Sequence, residues 1–211
     1  MIKQTNKARP QILRELRTLV PHRALSIGES HVLAEKQANY ALQLTGQNGP
    51  DVNLGWILEL PRVEVQLAPR FKMDGLCGFT TFSHGRYVIM VNKNESHAER
   101  RYTLAHEAKH LLDYTAAPVI HRTLGYGDVN RQTQQVEDIC EHFAACLLMP
   151  RTWLKRAWAS GVQDVPALAG LFNVSEEAME KRLRFLGYID DDPRPLRAYF
   201  RALPSVEPLA A

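Results

Sequence analysis

Cysteine is scarce in this 211-residue chain: Cys77, Cys140 and Cys146 are the whole supply. An odd number at irregular spacing excludes a disulfide framework and points to a reducing compartment. Cys140 and Cys146 stand too far apart for the short spacing of a zinc knuckle. All three read as small buried apolar side chains. Long apolar runs are missing as well. No stretch approaches the roughly 18 uninterrupted apolar residues of a membrane-spanning helix. The opening residues, MIKQTNKARPQ, lack the apolar core of a signal peptide. The expected location is therefore cytoplasmic, with no membrane partner. Internal repeats and low-complexity segments are absent. Charge of one sign is also in short supply. The net charge is +3 with 23% charged residues, far from the dense basic stripe of a nucleic-acid binder. What is present is an ordinary 45% of hydrophobic residues, enough for one core or for a core with a small appendage.

The stretch that organises the chain is YTLAHEAKHLLDY, residues 102–114, with HEAKH at 106–110. On an α-helix, positions i and i+4 lie about 40° apart around the axis. His106 and His110 then leave one face and can bind one metal ion, while Glu107 can reach a water on that metal from the side. This is the general-base arrangement of a zinc hydrolase. Ser96 and Glu99 fit a capping box, so the spacing predicts a helix over 97–114.

Upstream, apolar spacing predicts a helix over 10–20, after a polar and frayed 1–9. A second capping box, Ser26 with Glu29, opens a helix to Leu44. Residues 52–60 fit a short helix. Residues 62–67 alternate like a half-buried strand, and 75–82 with 86–92 form a hairpin across 83–85. Tyr87 to Val91 reads as a buried structural strand, with a second use as a rail for an extended peptide. The order of elements is that of an α+β fold, zincin-like, with a small mixed or antiparallel sheet packed on the HExxH helix.

A catalytic zinc needs a third protein ligand and an open position. Residues 115–133 look like loop, and QQVEDICEHFAACLLM at 134–149 reads as a helix ended by Pro150. Glu137 and Glu141 share a face at i and i+4. Glu137 is the favoured third ligand, with Asp113 and Asp128 as rivals. Glu141 and Asp113 are candidates to hold a ligand imidazole by hydrogen bond. Asp138 points about 100° away from Glu137 and is solvated. For the oxyanion of an attacked carbonyl, His121, Tyr126 and His142 are open alternatives.

The run RRYTLAHEAKHLLDY followed by EDICEHFAACLLMP resembles the ImmA/IrrE family of metallo-endopeptidases, over about 85–190. Both motifs occur in the family's order and spacing. The departures are Lys109 for a common glycine, Tyr114 for histidine, Cys140 for alanine, and Glu141 for Asn or Asp. By this resemblance His106, His110 and Glu137 fall on the zinc ligands and Glu107 on the catalytic glutamate. It implies one Zn²⁺ per chain and a protein substrate, a DNA-binding transcriptional regulator such as a repressor or antitoxin. Family members act in phage, mobile-element or stress-response circuits.

The expected organisation is a peptidase domain over 1–150, a helix-turn-helix-like segment over 151–190 and a tail over 191–211. In that segment the second helix opens with Glu176, Glu177 and Glu180, which a phosphate backbone repels. A packed helix pair is favoured, and direct nucleic-acid binding is disfavoured. The alternative to an enzyme is a non-catalytic regulator with a structural or vestigial metal site, binding DNA or a partner through its C-terminal helices.

Overall fold

The computed structural model describes residues 9–73 and 75–189. Most of the frayed segment and the C-terminal tail expected from the sequence lie outside the described residues. Among these, the fold is a mixed α+β arrangement of nine helices and a three-stranded sheet.

The strands are β1 (Val63–Ala68), β2 (Gly78–Ser83) and β3 (Arg86–Asn92), in the order β1-β3-β2. The hairpin between β2 and β3 turns on His84 and Gly85, both at positive φ (49° and 76°), the left-handed pair that a tight two-residue turn requires. β1 pairs parallel to β3, with Val63 opposite Tyr87 and Ala68 opposite Asn92. The sheet is thus mixed. Because β3 is central, both its edges are already paired. The rail for an extended peptide that the sequence placed on 87–91 has no free edge there, and the open edge facing away from β1 belongs to β2.

Helices α1 (Arg9–Thr18), α2 (Ile27–Leu44) and α3 (Gly55–Leu58) precede or flank the sheet, and α4 (His97–Asp113) carries HEAKH. Both capping boxes form. Ser26 and Ser96 each accept from the N3 backbone, and Glu29 and Glu99 return the bond to the N-cap amide. At the other end of α4, Arg17 of α1 caps the last turn. Its Nη2 donates to the Leu111 carbonyl at 2.8 Å and its Nε to that of Leu112 at 3.2 Å. Residues 115–133, expected as loop, hold the short α5 (Ala117–Ile120) and the start of α6 (Val129–Leu148). α6 begins five residues before the expected 134 because Asp128 is its N-cap, accepting from the Arg131 amide at 3.0 Å. α7 (Arg151–Ala159), α8 (Val165–Phe172) and α9 (Glu176–Phe185) complete the fold.

α6 packs against α2 on one side and α4 on another, and α4 covers β2 and β3. One core cluster runs through all of them, from Leu16 and Ile57 through Ile89, Leu111 and Phe143 to Phe172 and Leu183. The α8–α9 pair therefore packs into the same apolar interior as the metal-motif helix. Asn173, in the left-handed region at φ 53°, ends α8, and its carbonyl accepts from Arg101 Nε of α4 at 3.1 Å. Of the three cysteines, Cys140 and Cys146 are buried as expected, but Cys77 is exposed. It sits in the loop before β2, beyond the reach of the core.

Of the charged side chains buried among the described residues, the deepest is Lys109, 1% exposed. Its Nζ donates to both oxygens of Asp113 (2.7 and 2.6 Å) and to Gln37 Oε1 of α2 at 2.8 Å. Burial pushes the Asp113 carboxyl up, but Lys109 and then His121 outweigh it and hold it below the usual carboxylate range. Lys109→Met is expected to cost about 3–5 kcal/mol in urea denaturation, because it strands a buried carboxylate. Adding Asp113→Asn is expected to return part of that loss, since both charges then leave together.

Candidate metal centre

His106 and His110 leave α4 on the side facing α6, as the i, i+4 spacing dictates, and Glu137 reaches them from α6. Glu137 Oε2 lies 3.1 Å from His106 Nε2, and Oε1 lies 3.4 Å from His110 Nε2. The two Nε2 atoms are 3.2 Å apart. Three donors therefore converge on one point. Zinc–nitrogen bonds of about 2.0–2.1 Å at tetrahedral angles put neighbouring donors about 3.3–3.4 Å apart. The two imidazole nitrogens stand at nearly that spacing, and Glu137 turns one carboxylate oxygen to each of them at 3.1 and 3.4 Å, so the residues fit the metal. Cys140, one helical turn after Glu137, also brings its sulfur within 4.8 Å of both imidazoles. Burial holds its thiol protonated, with a pKa well above the ordinary value. The carboxylate is the better third donor.

The same contacts set the charges. Hydrogen bonds with His106 and then His110 hold the Glu137 carboxyl well below the usual carboxylate range. For His110, burial disfavours the charge, but the hydrogen bond to Glu137 and the nearby acids Glu107, Glu137 and Asp113 outweigh it and raise its pKa.

Glu107 is buried, 4% exposed, yet lines the cleft. Thr80 of β2 holds it: Thr80 Oγ1 donates to Glu107 Oε2 at 2.8 Å. Gly78, two residues earlier on β2, makes room for it. A Cβ there would stand 3.3 Å from Glu107 Oε1, 3.0 Å from the Met90 carbonyl and closer still to Thr103 Cγ2. Neither Thr80 nor Gly78 was singled out from the sequence. Period-2 spacing marks them only as strand residues, and the register that brings β2 against α4 is a tertiary fact.

Two depressions flank the donors. One, of about 360 Å³, runs from His106 past Tyr102 to Ser175, Glu177 and Lys181 of the α9 region. The other, of about 570 Å³, runs from His110 past Thr80 and Tyr114 to Pro118 and His121. Leu76, Gly78, Glu107 and Glu137 border both, so the donors sit at the middle of one groove. The α9 start as a wall of this groove was also invisible from spacing.

The remaining candidates separate. Asp128 is the N-cap of α6. Asp113 engages Lys109 and lies 3.5 Å from His121 Nε2, with no hydrogen bond to His106 or His110 among the described residues. Glu141 lines the groove, and its carbonyl accepts from Tyr102 Oη at 3.1 Å; no bond from its carboxylate to a ligand imidazole occurs among the described residues. Asp138 is 60% exposed, as expected of a solvated side chain, and also pairs with His31 at 3.0 Å. His121 borders the groove. Tyr126 is 82% exposed and lies under Arg131. His142 stacks on His31, ring centroids 4.7 Å apart, on the α2 side of α6.

A family model of a peptidase group, described as the IrrE N-terminal-like domain, matches residues 65–184. Among solved structures, a Mycobacterium tuberculosis transcriptional regulator matches at 19% identity with a TM-score of 0.55. The match covers 88% of this chain and 54% of that one, so this chain spans about half the length of that protein. At this identity the likeness is one of fold. No curated protein sequence matches the chain.

A metal held by these three residues would carry a pH signature. A raised His110 pKa means that the metal must displace a proton from a higher pH downward. Zinc affinity, measured by competition with a chromophoric chelator, is expected to fall on acidification, beginning above the ordinary imidazole value of about 6.5. In the metal-free protein the sign reverses. The His110–Glu137 pair contributes stability that is full between the ordinary carboxylate and imidazole values, about pH 4.3 to 6.5, and is lost as the pH rises through the raised His110 pKa or falls through the lowered Glu137 pKa. His110→Ala is expected to abolish both trends.

Proposed function

The chain belongs to the IrrE N-terminal-like peptidase family, and from that premise we propose that it is a zinc-dependent endopeptidase of zincin-like build. Its substrate is a helix-turn-helix transcriptional regulator, a repressor or antitoxin, in a phage, mobile-element or stress-response circuit. The observation that carries the reading is the spacing of the three donors, His106, His110 and Glu137, at 3.1–3.4 Å from one another. The substrate class rests on the family resemblance. The fold neighbour is a transcriptional regulator by name.

A zinc ion held by His106, His110 and Glu137 supplies Lewis acidity to the attacking water and the scissile carbonyl. The chain's own residues do the rest. Glu107 takes the proton of the attacking water on its carboxylate and later delivers it to the leaving amine. Thr80, bonded to Oε2, fixes which way that carboxylate faces. The free edge of β2, bordering the groove at Gly78, Phe79 and Thr80, offers backbone groups to an extended peptide. Of the three oxyanion candidates His121 is preferred, because it alone borders the groove.

Direct DNA binding remains disfavoured. The start of α9, where a recognition helix would read bases, carries Glu176 and Glu177, and Glu177 faces the groove. The three free thiols suit a reducing cytoplasm.

The test incubates the zinc-loaded chain with helix-turn-helix regulators of its host and follows their cleavage. Glu107→Gln is expected to keep its metal and lose about 10²- to 10⁴-fold in rate. Thr80→Val is expected to show a smaller loss, with metal content unchanged. Cleavage at the wild-type rate by Glu107→Gln would overturn the mechanism.

A further inference from the structure

α6 has a second polar face, turned toward α2 and away from the groove. On it Asp138, His142 and Cys146 follow one another at i, i+4 and i+8, and α2 opposes them with His31 and Glu35, also one turn apart. His142 Nε2 lies 3.5 Å from Cys146 Sγ. A carboxylate oxygen of Glu35, a ring nitrogen of His142 and the sulfur of Cys146 all lie within 4.8 Å of one another. Glu35 and His142 are half-buried and Cys146 is 1% exposed, so the donors close over the helix interface. His31 covers the outside of the cluster, stacked on His142 and bound to Asp138. None of these five residues borders the groove.

We propose that Glu35, His142 and Cys146 form a second metal site, distinct from the HEAKH centre, which takes a zinc-class divalent transition ion and staples α2 to α6. The donor chemistry chooses the ion. A thiolate, an imidazole and a single carboxylate suit zinc or cobalt. Calcium and magnesium need sets of oxygen ligands that this cluster does not have. The imidazole is ready for an ion. Burial, and then the charges of His31 and Arg182, lower the His142 pKa to about 4, so its ring is neutral at physiological pH with a lone pair to give. Burial raises the Cys146 thiol above its ordinary value and the Arg182 guanidinium beside it offsets only part of that, so the metal itself must displace the thiol proton. The consequence is mechanical. α6 carries Glu137, and α2 carries Gln37, which holds Lys109 of α4. An ion bridging α2 and α6 fixes the two helices that position the third donor of the groove.

The experiment uses the full chain, stripped of metal and titrated with Co²⁺, whose bond to a thiolate gives a near-ultraviolet charge-transfer absorption. The His106→Ala/His110→Ala variant is expected to keep about one equivalent of cobalt with that absorption. Adding Cys146→Ser or His142→Ala is expected to remove both the absorption and the bound ion, and Cys140→Ser to leave both in place. Bound cobalt is also expected to raise the melting temperature of the double-alanine variant. Absence of binding in that variant, with its helical circular dichroism intact, overturns the proposal. So does an absorption that follows Cys140 instead. Should the double-alanine variant fail to fold, the comparison moves to Cys146→Ser and Cys140→Ser in the otherwise native chain. There the proposal requires that the thiolate band and one of about two equivalents vanish in the first alone.

Discussion

A lysine that is 1% exposed cannot stand alone in an apolar core, and Lys109 constrains everything around it. Its ammonium must find Asp113 one turn on, which fixes the side of α4 that turns inward. It must also find Gln37, which pins α2 to α4 across a separation of 72 residues. Lys109 is flanked by Ala108 and by His110. Once it is anchored, the rotation of the helix is settled, and His106 and His110 are aimed at α6. Arg17 adds a second clamp at the C-terminal carbonyls of the same helix. The donors of the groove owe their convergence to a buried ion pair that takes no part in holding a metal.

α6 is the other half of that arrangement, and its helical period divides it into three working faces. Glu137 and Glu141 look to the groove, Ile139, Phe143 and Leu147 enter the core, and Asp138, His142 and Cys146 face α2. A helix that serves three neighbours at once has little freedom to rotate. This is why one carboxylate on it can meet two imidazoles on a different helix at 3.1 and 3.4 Å. The cost falls on the carboxylate's surroundings. Glu137 is held ionised far below its usual range, and His110 is raised, so in the metal-free chain the site balances its own charge through protons.

How much of this could be read from the residues follows the range of the interaction. Local signals were legible. Ser26 with Glu29 and Ser96 with Glu99 announced two helices to within a residue, and HEAKH announced a pair of imidazoles on one face. Glu137 was reachable because its helix has a strong apolar side and few acids in position. What resisted reading was long-range. The parallel pairing of β1 with β3 has no signature in either strand. The grip of Thr80 on Glu107 depends on strand register, and the Gln37–Lys109 contact on the packing of α2. The missed start of α6 has a different cause: Gly125 and Gly127 suggested a loop that outranked the N-cap at Asp128. Cys77 was misread because residue type stood in for position.

The two halves of the groove differ in a way that bears on its use. On the His110 side the walls are β2, the end of α4 and α5. On the His106 side they are α4, α6 and the start of α9. α9 belongs to the helix pair that looks like a DNA-reading unit, yet its first turn closes the groove and its buried Met179 and Leu183 lie in the common core. A helix anchored there cannot leave to bind a duplex without exposing apolar surface and opening one wall of the groove. Arg101, bonded to both the Asn173 carbonyl and that of Val52, resists the same motion. The pair is better understood as a fixed wall of the groove than as a separate reading head, and a protein that enters the groove from that side meets Glu177 and Lys181 before it meets the donors.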